Sequence, residues 1–241
     1  MKLLAFDTST EQLSVAVLRD ERIWEHAGAG GPQSSATLIP AVLDLLAQAR
    51  LNAGELDAIV FGRGPGSFTG LRTACSVAQG LAFGAGQGAG VPVLPVDTLL
   101  AVAESARIQC GAQRVLALLD ARMGEVYSAA YSWNEAAPGG WSTSIEIGVG
   151  KPEELIQPQG SGWVLAGNAQ AAYGERFPPE LGLLPHVDAL PTAAALLSLA
   201  PALLAAGQGV PAAQALPLYI RDKVAQTTAE RLAERAALAG R

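Results

Sequence analysis

Two aspartates close apolar runs where a strand would give way to a turn: Asp7 after Lys2-Leu3-Leu4-Ala5-Phe6, and Asp120 after Val115-Leu116-Ala117-Leu118-Leu119. Magnesium takes carboxylate oxygens alongside phosphate and water, so a nucleotide-magnesium complex is the chemistry this pair would serve. A third stretch, Gly62-Arg63-Gly64-Pro65-Gly66-Ser67-Phe68-Thr69-Gly70-Leu71-Arg72, follows the apolar run Ala58-Ile59-Val60-Phe61 and precedes a long run of small residues. A strand feeding a helix through such a turn exposes N–H groups at the helix N-terminus, where phosphate or carboxylate can bind. The same glycines also suit an ordinary tight turn. No Gly-Lys-Ser/Thr closes the loop, and Pro65 and Phe68 break the dinucleotide spacing, so neither standard phosphate motif is present. Candidate anion contacts are Arg63 and Arg72 with Thr8, Gly64, Gly66 and Ser67, facing Asp7 and Asp120.

The turns after the aspartates fit that chemistry less well. Thr8-Ser9-Thr10 and Ala121-Arg122-Met123-Gly124 lack the closely spaced glycines that let amides wrap a phosphate, and Arg122 intrudes where the loop should be small. A degenerate phosphate site is the expectation. Cys75, Cys110, His26 and His186 show no metal-ligand spacing, so no metal site is expected. Ser67 and Thr69 have no neighbouring histidine and read as caps of the following helix, which leaves no catalytic set.

The elements that must position these residues follow from pattern. Lys2 to Asp7, Leu13 to Leu18 and Arg22 to His26 read as an antiparallel meander. Ser34 or Ser35 caps a helix with an apolar stripe at Leu38, Val42, Leu45, Leu46 and Ala49, ending near Asn52 to Gly54. The glycine loop then opens a helix to Gly84, Val91 to Val96 is a strand, and Asp97-Thr98 caps a helix to Ile108. The layout begins again with Val115 to Asp120 and Gly124 to Tyr131, and Trp163 to Asn168 echoes the strand and glycine turn around Gly62. A duplicated α/β fold results, with halves at 1–108 and 109–241. Asn134 to Thr143 reads as a loop, Phe177 to Pro191 as a proline-punctuated connection, Thr192 to Ala206 as a capped helix, and Thr227 to Arg241 as a solvated helix or frayed tail.

The helix after the glycine loop is small and uncharged on nearly every side, and the first helix carries Ala36, Ala41 and Ala47 off its stripe. A helical protein interface is expected there, with Leu38 and Ala41 on one helix and Gly70, Ala74, Ala78 and Leu81 on the other. An unpaired face of this kind also implies self-association into a homodimer.

Among 241 residues, half are hydrophobic (50%) and only 16% charged, which favours a buried core over disorder. A net charge of -6 argues against a generally basic nucleic-acid surface, so any RNA would be held mostly by another chain. Thr73 to Val96 has no charged residue, but its five glycines and two prolines argue for a helix and a strand rather than a membrane span. Unpaired cysteines and an early Asp7 point to a reduced, cytoplasmic protein without a secretion signal.

The runs Leu4-Ala5-Phe6-Asp7-Thr8-Ser9-Thr10, Gly62 to Arg72, Ala78-Gln79-Gly80-Leu81-Ala82, Asp120-Ala121-Arg122-Met123-Gly124-Glu125-Val126-Tyr127 and Pro217-Leu218-Tyr219-Ile220-Arg221 together resemble the bacterial TsaB family, also called YeaZ. The resemblance covers nearly the whole chain. It implies an actin-like (ASKHA) fold of two RNase H-like halves. It also implies a role in forming N6-threonylcarbamoyladenosine at adenosine 37 of tRNAs that read codons beginning with A. Members of that family are non-catalytic relatives of TsaD, the metal-dependent transferase, and bind it through their two N-terminal helices, with the small ATPase TsaE joining the pair. The resemblance thus implies TsaD and TsaE as partners, tRNA met only through the complex, and no intrinsic cofactor beyond ADP or ATP at the subunit junction. Where TsaD-like chains carry paired histidines, this one reads Gln33-Ser34-Ser35-Ala36-Thr37-Leu38-Ile39-Pro40. The competing expectation is an actin-like phosphotransferase using Asp7 and Asp120.

Overall fold

The computed structural model describes residues 1–85 and 90–221, without the side chain of Pro32. Two five-stranded sheets repeat one topology. The first runs in the order β3-β2-β1-β4-β5, with β1 (Lys2–Asp7), β2 (Gln12–Arg19), β3 (Arg22–Ala29), β4 (Ala58–Gly64) and β5 (Val93–Asp97). The second runs β10-β9-β6-β7-β8, with β6 (Arg114–Arg122), β7 (Glu125–Trp133), β8 (Trp141–Gly150), β9 (Val164–Ala166) and β10 (His186–Val187). In each, three antiparallel strands are followed by parallel additions beside the first strand. The two halves read from the sequence are therefore real copies of one mixed-sheet plan, flanked by helices, which is the actin-like arrangement.

Both faces of the first sheet are covered, which is why β1 is apolar at every interior position. Leu4, Phe6, Val15 and Phe61 face α1 (Ser34–Ala49) and α2 (Phe68–Gly84), whose Leu38, Val42, Leu45, Ala74 and Ala78 complete that core. Leu3, Ala5, Ala16 and Val60 point the other way, onto α3 (Thr98–Cys110) and α6 (Ala193–Ala205). The same two helices also meet Val115, Ala117, Leu119 and Ala129 of the second sheet, so one apolar layer serves both halves. The outer face of the second sheet is closed by α4 (Ala169–Tyr173) and α5 (Pro179–Gly182) through Ala169, Phe177 and Leu181.

Several boundaries differ from the sequence reading. The expected loop at Asn134 to Thr143 is a tight turn, closed by Asn134 N–H donating to the Gly140 carbonyl at 2.8 Å, and β8 starts at Trp141. Its alternation of half-buried Ile145, Ile147 and Val149 with exposed polar residues was masked by the neighbouring glycines. Phe177 to Pro191 holds α5 and β10 rather than a bare connection. Helix α1 stops at Arg50, whose left-handed φ of 54° lets Leu51 N–H reach the Leu46 carbonyl. Asp97 does not cap α3 with its side chain; it pairs with Arg63. Thr192 does cap α6, accepting from Ala195 N–H at 3.1 Å. The 108/109 boundary lies within α3, and the chain beyond Thr192 returns to the first sheet, where Ala193 N–H donates to Ser14 Oγ at 2.8 Å and Val210 bridges Val93. Thr227 to Arg241 lies outside the described residues.

Where α3, α6 and the second sheet meet, Glu104 is nearly inaccessible at 1%. Arg107 donates to both its oxygens at 2.7 and 2.9 Å, Ser198 Oγ at 2.6 Å and Trp141 Nε1 at 3.0 Å. Burial alone pushes this carboxyl up, but the hydrogen bonds from Arg107, Ser198 and Trp141 and the Arg107 charge leave it below the usual carboxylate range. A lowered pKa means stability that is complete above the unfolded-state value and lost as pH falls through the folded-state value. Glu104→Ala is expected to lower unfolding free energy by about 3 kcal/mol at neutral pH, the cost of orphaning charged and buried partners. In urea titrations at several pH values, the difference from wild type should shrink as pH falls below about 4.

Candidate functional site

Between the two sheets lies a cleft of about 510 Å³. Its walls are the turn after β1, the glycine loop, the β6–β7 hairpin, Asn168 and the late segment Leu218 to Arg221. The glycine loop and both aspartate turns thus line one cleft. Asp120 faces that cleft but Asp7 does not, so the two carboxylates do not form the facing pair a nucleotide-magnesium complex would need.

Asp7 is fully buried and does not line the cleft. Its Oδ1 accepts from Ser9 N–H at 2.8 Å and from Ser9 Oγ at 2.6 Å, while Oδ2 has no partner and lies against Gly62, where an added Cβ would sit 1.7 Å away. Burial raises the carboxyl to about 6, against the lowering effect of the two Ser9 hydrogen bonds. Thr8 Oγ1 donates to the Gly70 carbonyl at 2.8 Å, and Ser67 N–H donates to the Ser9 carbonyl at 2.7 Å. At Gly70 a Cβ would stand 1.8 Å from the Thr8 carbonyl oxygen, so only glycine allows this approach. Gly64 N–H donates to Thr98 Oγ1 at 3.1 Å, and Ser67 Oγ takes Gly70 N–H at 3.5 Å as the expected cap of α2. Four donors of the candidate phosphate site, Thr8 Oγ1 and the N–H groups of Gly64, Ser67 and Gly70, are thus engaged within the chain.

The remaining anion candidates are likewise committed. Arg63 Nε pairs with Asp97 Oδ1 at 2.6 Å. Arg72 Nε donates to Tyr219 Oη at 3.1 Å while its guanidinium lies 3.9 Å from the Phe68 ring centroid. Asp120 accepts from Arg122 N–H at 2.7 Å, Arg122 Nη1 at 2.9 Å and Tyr173 Oη at 2.8 Å. Gly66 alone of the named glycines opens on the cleft. Magnesium-nucleotide chemistry of the phosphotransferase kind does not fit these residues, and that expectation is corrected here. Sequence reasoning did not single out Ser9, Asn168, Tyr173 or Glu11 as functional. Asn168 joins the halves, accepting from Asp120 N–H and donating to Glu11 at 3.2 Å. Among the described residues, no three histidine, cysteine or acidic side chains gather as a metal set. His26 is exposed in edge strand β3, and His186 Nε2 lies 3.3 Å from the Gly167 carbonyl.

The helix-face candidates divide. Leu38, Ala74 and Ala78 are wholly buried against the first sheet and Gly70 is covered by Thr8, so these four cannot meet a partner directly. Small residues bring α2 close to β4 instead. Ala41 and Leu81 are half-buried. The outward faces present Ile39 (45% exposed) and Leu43 (56%) on α1 and Phe83 (79%) on α2. A groove between the two helices is lined by Phe68, Arg72, Thr73, Ser76 and Val77. No helix among the described residues is long and apolar enough to cross a membrane.

Fold and site define an actin-like protein whose inter-sheet cleft excludes the Asp7 carboxylate and whose two N-terminal helices leave apolar residues in solvent. Residues 30–229 match the family model of TsaD, tRNA N6-adenosine threonylcarbamoyltransferase. The tRNA threonylcarbamoyladenosine biosynthesis protein TsaB of Escherichia coli is 37% identical over 93% of this chain and 96% of its own length; that of Haemophilus influenzae is 36% identical over 93% and 95%. The solved structure of YeaZ from Pseudomonas aeruginosa superposes with a TM-score of 0.81 at 42% identity, over 90% of this chain and 99% of that one. The chain belongs to the TsaB (YeaZ) family.

Burial of Asp7 has a measurable signature. A carboxyl raised to about 6 in the folded state favours folding while protonated and opposes it once ionised, so its contribution falls as pH rises from about 4 through 6. Asp7→Asn retains the oxygen that accepts from Ser9 and cannot ionise. In urea titrations its stability relative to wild type should rise by about 2–3 kcal/mol between pH 4 and 7, following the shift at 1.36 kcal/mol per pH unit. A difference that does not change with pH would show Asp7 to be solvated.

Proposed function

We propose that this chain is a non-catalytic scaffold subunit of the tRNA N6-threonylcarbamoyladenosine modification complex, which docks a TsaD subunit on the outward faces of α1 and α2 and supports it together with TsaE. The observation that carries this reading is the pairing of an Asp7 buried away from the cleft with exposed Ile39, Leu43 and Phe83 on the two helices. A protein that keeps the fold of an enzyme, withdraws its carboxylate from the cleft and exposes apolar helix surface is built for association rather than turnover.

The match to the TsaD family model over residues 30–229 supports the choice of partner. Two chains of one fold can join through equivalent helices by a pseudo-twofold axis, the geometry that also pairs two copies of this chain when the partner is missing. An acidic chain with a net charge of -6 then leaves tRNA to the other subunits. ADP or ATP belongs to the same proposal at the subunit junction, on the rim where Ser67, Phe68 and Arg72 are exposed.

Size-resolved pulldown with the TsaD of the same organism tests the interface. Leu43→Glu, on an exposed position, is expected to remain folded by circular dichroism, to weaken the complex at least tenfold and to shift the free chain toward monomer. Ala78→Glu is expected to unfold the chain, because it puts a charge where no solvent reaches. Undiminished binding by Leu43→Glu would move the interface off α1. Calorimetric titration with ADP should give heat only with the assembled pair, and heat from the free chain would contradict a junction site.

A further inference from the structure

The motif Pro217-Leu218-Tyr219-Ile220-Arg221 is not used by the docking face, yet it reaches the glycine loop, α2 and the β6–β7 hairpin. Just before it, the Ala215 carbonyl accepts from Gln79 Nε2 at 2.8 Å and from Cys75 Sγ at 3.2 Å, both on α2. Leu218 N–H donates to the Arg63 carbonyl at 2.7 Å on the glycine loop. Tyr219 packs on Phe68 with ring centroids 5.4 Å apart and accepts from Arg72. Arg221 then crosses to the second sheet, where it meets the Ala121 carbonyl at 3.1 Å, the Glu125 carboxylate and Met123 Sδ on the β6–β7 hairpin. Leu218 to Arg221 therefore form one wall of the cleft and a strap that ties the two halves together.

The cleft and the α1–α2 groove share one residue. Phe68 lines both the cleft and the α1–α2 groove, Arg72 lines the groove, and Tyr219 lines the cleft. Arg72, stacked on Phe68 and bonded to Tyr219, joins the docking face to the strap. We propose that the strap is a coupling element: a TsaD-fold subunit seated in the groove covers Phe68 and Arg72, strengthens the Arg72–Tyr219 contact by excluding water, and thereby clamps the strap and the β6–β7 hairpin in place along the cleft wall. This inference rests on the docking reading. The energetic reason is that a charge-assisted hydrogen bond, weak when solvated, gains strength in a lower dielectric and becomes costly to leave unmade. By linkage, whatever fixes the strap strengthens docking to the same degree.

Amide hydrogen exchange, with the free chain and with its TsaD complex, tests this through two conservative variants. Tyr219→Phe removes the hydroxyl and keeps the ring; Arg221→Gln removes the far anchor and lies outside the groove. In the free chain, Tyr219→Phe should speed exchange at Leu218 about fivefold, the worth of one hydrogen bond, with α3 unchanged. In the wild-type complex, exchange at Leu218 and across residues 121–125 should slow by about the same factor. That slowing should vanish at 121–125 in either variant, and Arg221→Gln should weaken TsaD binding several-fold without touching the groove. A complex that forms but leaves 121–125 at its free rate overturns the coupling while the docking reading stands. Slowing that persists in both variants likewise overturns it. If wild type forms no complex at all, the docking reading falls and the coupling with it, and exchange in the free Tyr219→Phe chain reports whether the strap contact exists.

Discussion

The closeness of Thr8 to Gly70 is the constraint from which the rest of the site follows. With the Thr8 carbonyl filling the space a Cβ would need, the turn after β1 lies directly on the first turn of α2. That contact places Ser9 where its carbonyl takes Ser67 N–H and its own N–H and hydroxyl take Asp7. The start of a helix is a ready anion site only while its N–H groups are free. Here the Ser9 carbonyl takes the N–H of Ser67 and Ser67 Oγ takes that of Gly70, so part of the geometry that binds phosphate elsewhere serves as a packing device. Asp7, a residue of the right type at the right strand end, is turned into the core and left with one unpartnered oxygen.

An unpartnered buried carboxylate oxygen is costly if ionised, and the raised pKa of Asp7 is how that cost is reduced. The second half treats its equivalent residue differently. Asp120 is accessible enough to pair with Arg122, which balances its charge, and to accept a hydrogen bond from the Tyr173 hydroxyl. The same position in two copies of one plan is thus silenced by burial in one and by pairing in the other. Neither solution leaves a carboxylate free for a metal, and both hold a turn: Ser9 on one side of the cleft, the β6–β7 hairpin on the other.

Much of the plan was legible from residues. The apolar runs of β1, β4 and β6, the aspartates closing two of them and the Thr192 cap all follow from local pattern, and the duplication follows from their repetition. What escaped was set by tertiary contact. Strand β8 looked like loop because its turn is glycine-rich and its outer residues polar. Asp97 reads as a cap until Arg63, 34 positions away, takes its carboxylate. The glycines of the loop read equally as phosphate cradle or tight packing, and only the position of Thr8, some 60 residues earlier, decides between them. The strap was visible as a motif, but no local rule says that Tyr219 lies against Arg72, 147 positions before it.

The orientation of α2 shows why composition alone misplaces an interface. A helix small on nearly every side can approach either a sheet or a partner, and the sequence pattern is the same. Sheet packing wins for Ala74 and Ala78 because β4 behind them is buried and apolar from Ala58 to Phe61, and a small residue there brings backbone to backbone at native density. The first helix is then set by the second: with α2 held close, Leu38, Val42 and Leu45 reach the sheet, at about 1.5–3 kcal/mol for each large side chain buried. Residues one step round the helix, Ile39 and Leu43, are carried outward by the same turn of 100°. The inward small-residue face and the outward apolar face are therefore two results of one packing choice. A partner surface on these helices requires the tight core beneath it, which is why a substitution that disturbs Ala78 reports on folding and one at Leu43 reports on docking.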